Sequence, residues 1–167
     1  MHFGDRMSSE DNFKGIFDSY DERSKSLMDL LPETDDITLI TLKGHLIIEE
    51  ALYSIVSSHC NFPKYIDDAR LSFSQLSNIA KALISLPLHQ TMFPAILKLN
   101  KLRNNLAHNI SSDKAETLAN EFVSLCGDSD KSDQELCEQV KVSICYLLGG
   151  LSVIGAASEM IGNMPNE

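Results

Sequence analysis

"MFPAILKLNKLRNNLAHN", residues 92–109, carries Met92, Ile96, Leu99, Leu102 and Leu106 at steps of three and four. That spacing puts the five on one face of an α-helix, whereas a strand would need alternation. Beside the apolar stripe runs a second row at the same steps, Lys98, Lys101, Asn105 and His108, with no carboxylate in it. Thr91 suits the N-cap of this helix, Pro94 its first turn, and Asn109 a left-handed C-cap.

The same periodicity extends outward in both directions. Residues 8–31 form a polar amphipathic pattern through Phe13, Ile16, Phe17, Tyr20, Leu27, Leu30 and Leu31, ended by Pro32. A second helix is predicted from about Asp36 to Ser58, where Gly44 marks close packing. "HCNFPKYIDDAR" (59–70) reads as a loop, and a third helix opened by a Ser72–Gln75 capping pair runs to about Ser85. After the quoted helix, Asp113–Glu116 and Ser132–Glu135 look like capping boxes for two more helices, separated by "GDSDKSD". No stretch sustains strand alternation with hairpin turns. The expectation is a single all-α domain over 1–167, a bundle of five or six helices. It comprises an extra N-terminal helix within 1–31, motif-bearing helices over 36–125 and a long C-terminal helix over 132–162. The three glycines of that last helix, Gly149, Gly150 and Gly155, make it either the centre of the bundle or the seam of a dimer.

At 167 residues the chain can bury a full core without disulfides or metal. Its four cysteines, Cys60, Cys126, Cys137 and Cys145, show no CxxC spacing, which suits free thiols in a reducing cytoplasm. Val142–Ser158 is uncharged, yet short for a span and without aromatic or basic flanks, so no membrane association is expected. The net charge of −10 argues against a non-specific nucleic-acid coat. That charge is uneven. From Ala69 to Ser112 there is no Asp or Glu, while Arg70, Lys81, Lys98, Lys101 and Arg103 make the window +5, leaving −15 for the rest. A local basic surface on an acidic protein follows, and it includes the quoted helix.

On that helix Arg103 sits about 140° round from His108, within reach of its long arm. A guanidinium grips phosphate through paired hydrogen bonds and stabilises charge on its oxygens. Histidine moves protons to and from hydroxyls near neutral pH. RNA supplies its own nucleophile, the 2′-hydroxyl. An Arg–His pair can therefore cleave RNA without metal, leaving a cyclic phosphate. The same residues also suit a solvated face ending in a C-cap, and spacing alone does not separate the two readings.

The form R-N-x-x-x-H, here Arg103, Asn104, Asn105, Leu106, Ala107 and His108, resembles the signature of the HEPN superfamily (higher eukaryotes and prokaryotes nucleotide-binding). "LKGHLIIEEAL" upstream is similar to the early helix of many bacterial members. The resemblance covers roughly residues 36–125. It implies a helical bundle that dimerises with two motifs facing one cleft, and metal-independent endoribonuclease activity of the kind found in toxin–antitoxin, defence or RNA-processing systems. It assigns catalysis to Arg103, holding the scissile phosphate, and to His108, moving the proton, with Asn104 positioning one of them or the phosphate. Lys98, Lys101 and Asn105 would bind the RNA. A homodimer, an RNA substrate and an antitoxin or other regulatory protein are the implied partners, and no cofactor is needed.

His45 and Glu49 stand one turn apart and could support the site from a neighbouring helix, although a satisfied polar pair at an interface is the simpler reading. His59 and Cys60 are ligand types, but no second pair stands at ligand spacing, so no metal is expected. No nucleophile elbow or Gly-rich phosphate loop is present. A second function, favoured by the acidic charge, is a non-catalytic helical regulator or adaptor resembling mannitol-repressor-like proteins.

Overall fold

Asp36 starts the first helix. Its Oδ1 accepts the main-chain N–H groups of Thr38 at 2.8 Å and Leu39 at 3.2 Å, meeting two donors that a helix start leaves orphaned. The computed structural model describes Ser26 and residues 28–84, 89–108, 112–127 and 134–162. Among these residues it holds six helices and no strand: α1 (Ile37–Ser58), α2 (Lys64–Ala69), α3 (Phe73–Leu83), α4 (His89–His108), α5 (Ser112–Leu125) and α6 (Leu136–Gly162). The fold is an all-α bundle.

α1 and α6 lie against each other because Gly44 has no side chain. A Cβ there would stand 2.5 Å from Ile144 Cδ1. Further along, Ile55 Cγ1 would be 3.8 Å from a Cβ on Gly155. The paired positions advance together, so the two helices run parallel. α4 runs the opposite way, with Met92 against Gly150 at its start and Asn100 beside His45 further on. α5 folds back along α4. α3 closes the side of α1, stacking Phe73 on His45 with ring centroids 4.1 Å apart.

The apolar stripe of α4 does what its periodicity predicts: Met92, Ile96, Leu99 and Leu102 are buried, and Leu106 packs half-buried against the core. Each fully buried Leu or Ile contributes about 1.5–3 kcal/mol of burial. From α6, Ile144, Leu147, Leu148, Leu151 and Ile154 enter the same core. By length and composition Leu136–Gly155 could cross a membrane, but it is largely buried in the bundle, 56% of the window. In the described part, then, α6 is a central helix.

Several boundaries differ from the sequence expectation. The segment predicted as a loop over 59–70 contains α2, set up by Pro63 and ended by Arg70 in the left-handed region at φ 47°. α4 begins at His89, so Thr91 lies inside the helix and not at its cap. Pro94 falls one turn deeper than expected and removes one ladder donor. α5 begins at Ser112, placing Asp113 in the first turn, where its carboxylate suits the positive helix end, and not at the cap. α6 begins at Leu136, with the Glu135 carbonyl accepting from Glu138 and Gln139. The Ser72–Gln75 box is present, with both of its hydrogen bonds. Asn109, Ser132 and most of the expected N-terminal helix lie outside the described residues.

Candidate functional site

The last two turns of α4 and the start of α5 enclose an open groove of about 370 Å³. Lys101, Asn104, Asn105 and His108 line it from α4, and Lys114 and Leu118 from α5. None of the lining residues is a carboxylate. At this end of the helix pair Leu106 and Leu118 are half-buried, in contrast to the fully buried residues of the helix middle. Asn105 is only 6% exposed, and its Oδ1 is buried with no protein partner. His108 is exposed at the helix end.

Arg103 does not line this groove. Its Nη1 donates to Asn104 Oδ1 at 3.1 Å. Asn104 Nδ2 in turn donates to Asn100 Oδ1 at 3.5 Å, a long bond, and the same oxygen receives His45 Nε2 at 3.1 Å. A polar chain thus runs Arg103–Asn104–Asn100–His45, from the surface to the core. Because Asn100 presents an oxygen, His45 carries its proton on Nε2, which leaves Nδ1 buried without a partner. Burial pushes the His45 imidazole below its ordinary 6.5, with the Asn100 bond and the Glu49 carboxylate acting against the shift and Arg103 acting with it.

The residues singled out in the sequence therefore separate. Lys101, Asn104, Asn105 and His108 share the groove, and Arg103 is tied to it through Asn104. Lys98 is paired with Glu121 of α5 at 2.5 Å, outside the groove. His45 is buried and bonded to Asn100, while Glu49 lines a different groove between α1, α2 and α3. Two contributors went unremarked in the sequence. Asn100 stands four residues before Asn104 and eight before His108, a row that the three- and four-residue steps could have revealed. Lys114 lies beyond the motif and reaches the groove only through the fold.

Arg103 belongs to neither of the ion pairs Lys98–Glu121 and Lys141–Glu138, and its guanidinium, held by Asn104, keeps donors for an incoming anion. Chemically, the groove can hold a phosphate between lysines and present an imidazole to it. Away from it, Asp35, Glu135 and Cys137 bring ligand-type atoms within 4.8 Å of one another, a grouping absent from the sequence expectation. Its two carboxylates, Glu135 and Asp35, sit at the positive starts of α6 and α1, where such groups are favoured without any ion. No protein-family model, curated protein or solved structure matches this chain.

Proposed function

We propose that the chain is a metal-independent endoribonuclease of the HEPN type, working in the cytoplasm as a homodimer under the control of an antitoxin or other regulatory protein. The observation that carries the reading is the carboxylate-free groove in which His108, Lys101 and Lys114 meet, with Arg103 held beside it by Asn104. The two lysines draw in the phosphodiester backbone. The 2′-oxygen attacks the adjacent phosphorus as its proton leaves, the bond to the 5′-oxygen breaks, and the leaving oxygen takes up a proton. His108 is the proton carrier and Arg103 stabilises the charge on the non-bridging oxygens. The products are a cyclic 2′,3′-phosphate and a 5′-hydroxyl. A second copy facing the first brings a second Arg103 and His108 to the same cleft, as the family resemblance implies.

Cleavage of single-stranded RNA by the pure protein in EDTA tests this, with His108→Ala alongside. Cyclic-phosphate ends from the wild type alone are the expected result. Intact RNA, or equal cutting by both proteins, would overturn it. The non-catalytic regulator would then be the better reading. It is favoured by the net charge of −10 and by Glu121, which neutralises Lys98 at the edge of the basic face.

A further inference from the structure

We propose that the groove between α1, α2 and α3 docks a basic amphipathic helix of another protein, independently of any ribonuclease activity. The groove measures about 400 Å³ and has an apolar floor of Ile66, Leu71 and Leu76. Its rim carries Leu46, Glu49, Glu50 and Asp67, with Arg70 as its one cation. Leu46 is 57% exposed. It belongs to a stripe along α1, Leu39, Leu46 and Tyr53, set at seven-residue steps. These three form a single apolar row beside the groove, with Leu39 and Leu46 exposed and Tyr53 half-buried, which a docked helix can extend along.

Charge selects the occupant. None of Glu49, Glu50 and Asp67 belongs to either ion pair found among the described residues. Asp67 receives only the Tyr53 hydroxyl among its side-chain bonds. Three carboxylates against one guanidinium leave the rim at −2, beside an apolar floor. Nucleic acid and anionic lipid are repelled by such a rim. A second copy of this chain would bring a −10 protein against it. A helix with leucine-class anchors on one face and Lys or Arg beside them satisfies both parts, filling the floor and pairing the rim.

The probe is a fluorescent synthetic helical peptide of leucine and lysine in amphipathic order, measured by anisotropy at physiological salt. Controls are the same composition scrambled and a leucine–glutamate peptide of the same pattern. The amphipathic basic peptide is expected to bind wild type at least about tenfold more tightly than either control. Leu46→Asp, and separately the Glu49→Lys, Glu50→Lys double variant, each remove about tenfold or more. The double variant Glu116→Lys, Glu135→Lys makes the same charge change elsewhere and leaves binding unchanged. Circular dichroism confirms that each variant keeps its helix content. Equal binding of the scrambled peptide, or indifference to Leu46→Asp, would show charge attraction alone and overturn the proposal. It also fails if sedimentation shows wild-type dimers that Leu46→Asp alone dissociates, since the face is then a self-contact.

Discussion

The two grooves are nearly equal in size, about 370 Å³ and about 400 Å³, and opposite in chemistry. The first joins α4 to α5 and offers lysines, asparagines and an imidazole. The second joins α1 to α2 and α3 and offers carboxylates over an apolar floor. Their difference shows how a protein of net charge −10 keeps a cationic surface: the groove of lysines and the groove of carboxylates are lined by different helices. His45 and Glu49 mark the division. Though one turn apart on α1, one is buried toward α4 under Phe73 while the other opens into the acidic groove.

Four measurements put that contrast to the test. The largest effect belongs to the cationic groove: His108→Ala should lower RNA cleavage in EDTA by about 10²–10⁴-fold. Glu50→Gln, in the other groove, should leave the rate where it was, and equal loss in both would end the distinction. Next comes the core between them. Gly44→Val, pressing on the buried Ile144, should cost about 1–3 kcal/mol in urea unfolding. An unchanged midpoint would mean that α1 and α6 part readily. Third, Lys114→Ala should reduce the salt slope of RNA binding by about one, while Glu50→Gln leaves the slope alone. A slope insensitive to Lys114 would remove α5 from the proposed RNA-binding face.

The smallest effect is a pH dependence. With its folded value held below 6.5, neutral His45 binds fewer protons in the folded than in the unfolded chain. Its contribution is fully present above 6.5 and is lost as pH falls from there through the lowered folded value. The stability advantage of wild type over His45→Gln, followed by denaturation at a series of pH values, should therefore shrink on acidification. If the advantage grows instead, the histidine is charged when folded.

What the sequence discloses depends on how local the cause is. The α4 stripe, the Asp36 start and the Ser72–Gln75 box rest on neighbours within a turn or so, and each appears as its spacing predicts. Lys98 shows the opposite case. Its stretch of chain is free of acid for dozens of residues, yet Glu121 reaches it from the next helix, so a window without carboxylates is not a surface without them. His45 likewise has its partner 55 residues away, and no local pattern pairs it with Asn100. α2 was hidden for another reason: its six residues are too few to display a period, and tertiary contacts through Ile66 help hold it. Of the candidate site, the groove side of α4 was legible. The contribution of Lys114 and the tethering of Arg103 by Asn104 were not.

The parallel pairing of α1 with α6 has a consequence during synthesis. About eighty residues separate the end of one helix from the start of the other. At roughly 5–20 residues per second a ribosome takes several seconds to make them. Through that interval Ile40, Ile48 and Ile55 lack part of their native cover, and the nascent chain presents a greasy ridge to whatever is nearby. The notch at Gly44 stays empty until Ile144 emerges. Growing chains therefore carry this uncovered apolar face until Ile144 and its neighbours on α6 emerge and close the core.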